Sequence, residues 1–138
     1  MVDHLELLQT VIDTTEPRTL AEFYRKLLGY VYRLGDEPTG VGEADDPDWL
    51  VLTDTVGTRR LAFQQVDQLE TTTWPSNEVP MQMHLDLTVR DSGEFERQRQ
   101  RVEELGAIVL FDRTNDEDEP LLVFADPAGH PFCIFVVS

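Results

Sequence analysis

The chain carries one pattern twice. Leu7 to Tyr30 reads L-L-Q-T-V-I-D-T-T-E-P-R-T-L-A-E-F-Y-R-K-L-L-G-Y, and Met83 to Ala107 reads M-H-L-D-L-T-V-R-D-S-G-E-F-E-R-Q-R-Q-R-V-E-E-L-G-A. Each copy is an alternating strand, an acid that opens a helix, then Leu-Gly and a further strand. A duplication of this kind sets the architecture, and because equivalent positions of the two copies converge, it also nominates a site. Where the second copy has a potential metal ligand, His84, the first has Gln9.

The first copy opens with a strand over 5–13, in which Leu8 and Ile12 share one side and Leu7, Gln9, Val11 and Asp13 the other. Glu16-Pro17 supplies a helix start. Leu20, Phe23, Leu27 and Leu28 then recur at helical spacing until Gly29 stops the helix. Strands are expected over 30–34, 49–53 and 60–66, with a polar loop over 35–48. Residues 67–80, with two prolines and little periodicity, read as a connector. In the second copy Met83, Leu85, Leu87 and Val89 form one strand face, leaving His84, Asp86 and Thr88 on the other. A helix over 92–105 ends at Gly106, and strands follow over 107–112, 121–125 and 132–137, the last two joined by Asp126-Pro127-Ala128-Gly129. The order is again strand, helix, three strands. The expectation is an α+β domain over 1–138 built of two βαβββ modules, 1–66 and 81–138, with sheets curled around a shared cavity and helices outside.

At 138 residues the chain is long enough to bury a core without disulfides or metals, although each half alone would be small. Its one cysteine, Cys133, cannot form an intramolecular disulfide, and M-V-D-H-L-E lacks a basic, apolar signal segment, which predicts a cytoplasmic protein. No apolar run reaches membrane-spanning length. The net charge of −16, from 27 acids against 11 bases, repels nucleic acid backbones and anionic membranes, so neither is expected as a partner. The acidic stretches over 42–48 and 116–119 read as solvated loops rather than cation sites.

This order, with L-A-E-F-Y-R-K-L-L-G-Y after the first strand, H-L-D-L-T-V-R-D in the second copy and F-A-D-P-A-G-H-P-F-C-I-F at the end, resembles the vicinal oxygen chelate superfamily. That superfamily includes glyoxalase I, extradiol dioxygenases, fosfomycin and bleomycin resistance proteins and glyoxalase-like proteins of unassigned activity. The resemblance implies the glyoxalase/bleomycin resistance/dihydroxybiphenyl dioxygenase-like fold and a homodimer. In metal-dependent members, the first and last strands of each module supply the ligands. By resemblance these positions fall on Gln9, Gln64, His84 and Cys133, with His84 seven residues before Asp91 as Gln9 is seven before Glu16. Two amides, one imidazole and one thiol make a poor set for a divalent cation, so no cofactor is expected. Asp86 and Asp13 are the carboxylates that could replace a missing ligand.

His84 and Asp86 are the candidate catalytic pair: a general acid or base tuned by its neighbour, or else a polar network that fixes the sheet. Gln9, Trp49, Gln64 and Cys133 are the candidate ligand-binding residues, Trp49 as a flat pocket wall or as core. Trp74 is a second candidate wall or a subunit contact. Cys133 lacks an evident base and reads as a small packing residue. Asp126 is expected to hold its turn through backbone amides. The function expected is the binding of a small organic molecule, with a metal-independent lyase or isomerase step through His84 and Asp86. The alternatives are sequestration of a drug or metabolite, as in bleomycin resistance proteins, with the charge favouring cationic ligands, and a metal-dependent glyoxalase or dioxygenase with replaced ligands.

Overall fold

A computed structural model describes residues 3–136. The chain divides into two compact units, Met1–Leu69 and Glu70–Ser138, each built as one helix on a four-stranded sheet.

In the first unit β1 (Thr10–Thr14) leads into α1 (Pro17–Leu28), followed by β2 (Val31–Tyr32), β3 (Trp49–Thr53) and β4 (Arg59–Gln65). Pro17 occupies the first turn, where its missing N–H costs nothing, and Gly29 closes the helix at φ 71°, a left-handed conformation that favours glycine. The sheet order is β1-β4-β3-β2, with β1 parallel to β4 and the other pairs antiparallel. Leu20, Ala21, Phe23, Tyr24 and Leu27 bury one face of α1. Tyr24 stacks on Phe63 of β4, with ring centroids 6.0 Å apart. Since side chains alternate along a strand, Phe63 toward the helix puts Ala62, buried, and Gln64, exposed, on the opposite face.

The second unit repeats the plan. β5 (Leu85–Val89) is followed by a 3-10 turn (Ser92–Glu94), α2 (Phe95–Leu105), β6 (Ile108–Arg113), β7 (Leu121–Ala125) and β8 (Pro131–Val136), in the order β5-β8-β7-β6. Phe132 and Ile134 are buried, and Phe132 stacks on Phe124 at 5.4 Å. Alternation then sets Cys133 on the open face. Asp126 holds its turn as the sequence indicated, its Oδ1 accepting from the amides of Ala128 and His130. Among the described residues no helix is long and apolar enough to cross a membrane.

Several boundaries differ from the sequence reading. β1 starts at Thr10 and β5 at Leu85, so Gln9 and His84 stand just ahead of their strands; Leu5, Leu7 and Leu8 are exposed and have no ladder partner. The helix expected over 92–105 is split into the 3-10 turn, capped by the Asp91 carboxylate on the Gly93 amide, and α2. The strand expected over 30–34 shrinks to two residues: the Arg33 amide still bonds the Val51 carbonyl in register, but the Val51 amide is taken by the Asp36 carboxylate and Gly35 turns the chain at φ 98°. Val137, the expected end of the last strand, lies outside the described residues. Part of the expected connector packs within the second unit: Trp74 meets Phe111 edge-on at 5.4 Å.

Candidate functional site

The open face of the second unit carries the densest group of reactive side chains. His84 precedes β5, Asp86 lies within it, and the parallel β5–β8 ladder makes Asp86 and Cys133 register partners. An Asp86 oxygen, the Cys133 sulfur and an imidazole nitrogen of His84 lie within 4.8 Å of one another. His84 Nε2 is 3.1 Å from Asp86 Oδ1, and the two side chains are 37% and 52% exposed. The pair therefore faces solvent, where a ligand can reach it. Cys133 is half-buried. Its burial, reinforced by the charges of Asp86 and Glu119, raises the thiol above its ordinary range, so it stands protonated near neutral pH.

The first unit arranges its candidates differently. Gln9 Oε1 accepts from Arg59 Nε at 2.9 Å, and Gln64 Nε2 donates to Asp13 Oδ1 at 3.1 Å. Asp13, Gln64 and Trp49 are register partners across β1, β4 and β3, forming one row on the open face. The next row is apolar, Val11–Ala62–Val51, and its counterpart in the second unit is Asp86–Cys133–Val123. The structure thus brings Gln64 and Trp49 together and leaves Gln9 apart, bound to Arg59.

These registers correct one expected equivalence. The first-unit counterpart of Cys133 is Ala62, and Gln64 corresponds to Phe135. The first unit also carries a bulge that the β7–β8 pair lacks. Thr53 pairs with Arg59 while Leu52 pairs with Leu61, so Arg60 is an extra residue, whereas Ala125–Pro131 and Phe124–Phe132 run on without a shift.

Sequence reasoning missed Arg18. Its guanidinium donates to both carboxylate oxygens of Asp45, at 2.8 and 3.0 Å, and to the carbonyls of Asp36 and Glu37, while lying 4.9 Å over the Tyr32 ring. Those contacts pin the loop between β2 and β3. Asp45 sits within the acidic stretch over 42–48, so this carboxylate is engaged in a structural ion pair. An arginine in the first helical turn followed by an acidic loop was the only available signal.

A glyoxalase-like domain profile matches residues 9–135, nearly the whole chain. The chain belongs to the glyoxalase-like domain family. No curated protein matches this glyoxalase-like chain. Its fold is that of a glyoxalase/bleomycin resistance protein/dioxygenase family enzyme from Burkholderia phytofirmans PsJN, at TM-score 0.67 and 16% identity, over 97% of this chain and 100% of that one. It is also that of the fosfomycin resistance protein FosX from Listeria monocytogenes, at TM-score 0.66 and 15% identity, over 100% and 95%. A possible glyoxalase from Bacillus cereus gives TM-score 0.64 at 14% identity, over 96% and 99%. These likenesses place the glyoxalase-like chain in the vicinal oxygen chelate superfamily and establish its fold.

The Listeria protein was solved with manganese(II), which raises the question of what this donor set would accept. Gln9 and Ala62 offer the first unit no anionic ligand at the corresponding positions. The second unit has a thiol, an imidazole and a carboxylate in one cluster. That combination suits a borderline cation such as zinc and suits manganese or magnesium poorly, since those favour oxygen donors. The expectation of no metal counted Gln9 and Gln64 into the set, and the cluster that forms contains neither.

Proposed function

We propose that this glyoxalase-like protein binds a small organic molecule on the open face of its second unit and transfers a proton on it through His84, in a lyase or isomerase step. The observation that carries the reading is the 3.1 Å contact between His84 Nε2 and Asp86 Oδ1 on an accessible face. A carboxylate at that distance orients an imidazole, favours the tautomer with hydrogen on Nε2, and stabilises the imidazolium when the ring takes up a proton. Cys133, held as a neutral thiol, donates weakly to a substrate oxygen rather than attacking it.

A thermal-shift screen of carbonyl- and hydroxyl-bearing metabolites, run with a chelator present, tests binding. A hit that is turned over by the natural chain and bound but not turned over by His84→Ala supports the reading. Turnover that survives His84→Ala and Asp86→Asn overturns it.

The net charge of −16 favours a second reading, sequestration of a cationic drug or metabolite without chemistry. Binding of cationic compounds that weakens steeply with salt, and leaves them unaltered, would select it.

A further inference from the structure

We propose that a cleft between the end of β5 and the start of α2 binds the carboxylate of a small organic acid, with Arg90 as its anchor. The site goes beyond the organic-ligand reading at His84 and is read out on different residues, so either can fail without the other.

The cleft has a volume of about 340 Å³. It is lined by Thr88 and Val89 of β5, Arg90 just beyond that strand, Glu94 of the 3-10 turn, and Arg97 and Gln98 in the first turn of α2. All six belong to the second unit. Pockets for small molecules begin at about 300 Å³, so this one suits a compact ligand. Asp86 lies four residues before Arg90, roughly 13 Å along an extended chain, which keeps the anchor apart from the His84–Asp86 pair.

Arg90 marks the cleft as a site. It is exposed, and among the described residues it is the one arginine without a hydrogen bond, ion pair or ring contact. With 27 acids in the chain against 11 bases, a guanidinium without a carboxylate is unexpected. The acids nearest in sequence are engaged elsewhere. Asp91 Oδ1 accepts from the Gly93 amide, Glu94 Oε2 from Arg97 Nε, and Glu96 Oε1 from Gln100 Nε2.

Charge then selects the ligand. Glu94 and Arg97 cancel as an ion pair, so the cleft keeps the single positive charge of Arg90. One carboxylate neutralises it, whereas a phosphate dianion would add excess negative charge to a chain already at −16. The planar fork of an arginine matches both oxygens of a carboxylate, and such bidentate, charge-assisted bonds exceed neutral ones in strength. Gln98 Oε1 accepts from Arg101, which leaves the Gln98 Nε2 hydrogens for a second polar group of the acid, and Val89 supplies apolar surface for its body. The chain's negative field opposes an anion's approach, but at physiological salt it is screened beyond about 8 Å, and the contact with the fork is shorter than that.

The test titrates the full, isotopically labelled chain with benzoate, and in parallel with benzamide and with inorganic phosphate, in a buffer free of other carboxylates. Benzoate should shift the backbone amide resonances of Arg90, Arg97 and Gln98 saturably. Benzamide, similar in shape but neutral, should bind more weakly by about tenfold or more, a comparison that needs no variant to fold. Arg90→Gln should weaken benzoate by about tenfold or more, and Arg90→Lys should recover only part of that loss, because an ammonium lacks the fork. Phosphate should bind less tightly than benzoate. No saturable shift, shifts confined to His84 and its neighbours, equal binding of benzamide, a preference for phosphate, or affinity unchanged in Arg90→Gln would each overturn the proposal.

Discussion

Asp86 and Cys133 face each other across the parallel β5–β8 ladder, and their counterparts one module earlier are Val11 and Ala62. The same backbone relationship therefore holds a carboxylate beside a thiol in one unit and a valine beside an alanine in the other. Only the second unit retains reactive chemistry in that row, and His84 completes it.

Because the His84–Asp86 pair is solvent-exposed, removing it should matter to chemistry far more than to stability. His84→Ala is expected to change unfolding free energy by no more than about 0.5 kcal/mol. Turnover of a substrate found by screening should fall by roughly 10²–10⁴-fold, the usual contribution of a positioned acid or base. Denaturant melts and initial-rate kinetics on one preparation check both parts.

Phe63 is wholly buried and stacked on Tyr24, joining α1 to the centre of its sheet. Truncation leaves a cavity between helix and strand that neither can fill without unpairing the ladder. Phe63→Ala should cost about 3–5 kcal/mol, read as a lowered urea midpoint.

Arg18 ties the loop between β2 and β3 to α1 through Asp45 and the carbonyls of Asp36 and Glu37. Arg18→Ala should accelerate amide exchange across 36–48 and cost about 1–2 kcal/mol, leaving the sheet protected. Lysine should restore less than the arginine supplies, because one ammonium cannot reproduce the fork on Asp45 while spanning two carbonyls. Exchange rates in the loop for the two variants separate these outcomes.

Tyr32 makes the first unit sensitive to alkali. Burial, helped by its hydrogen bond to Glu22 and opposed by Arg18, pushes the phenol up to about 12 from the ordinary 10.0. A group raised in the folded state contributes stability that is whole below pH 10.0 and is lost as pH rises toward about 12. The urea midpoint should fall through that window, and Tyr32→Phe should reduce the slope. At the acid side Glu22, held low by the Arg25 hydrogen bond, contributes stability that is present above its ordinary 4.5 and fades as pH falls below it.

Much of this was legible in residue order alone. Pro17 and Gly29 bracket α1, Gly106 ends α2, and Asp126 announces its turn, because caps and turns are satisfied by groups a few residues apart. Alternation likewise separated His84 and Asp86 from Leu85 and Leu87, since a strand's faces follow from its period of two. These local rules were enough to specify two strand-helix-three-strand units. What they could not specify was which residue of one strand meets which residue of another. Ladder register makes Ala62, two residues before Gln64, the counterpart of Cys133, and pairs Gln64 with Asp13 instead. Ladder register is set by hydrogen bonds between segments about fifty residues apart, and an extra residue in one strand leaves no mark on the spacing within the other. The sequence by itself determined the repeat and its faces; the tertiary pairing decided that the imidazole, the carboxylate and the thiol share one spot.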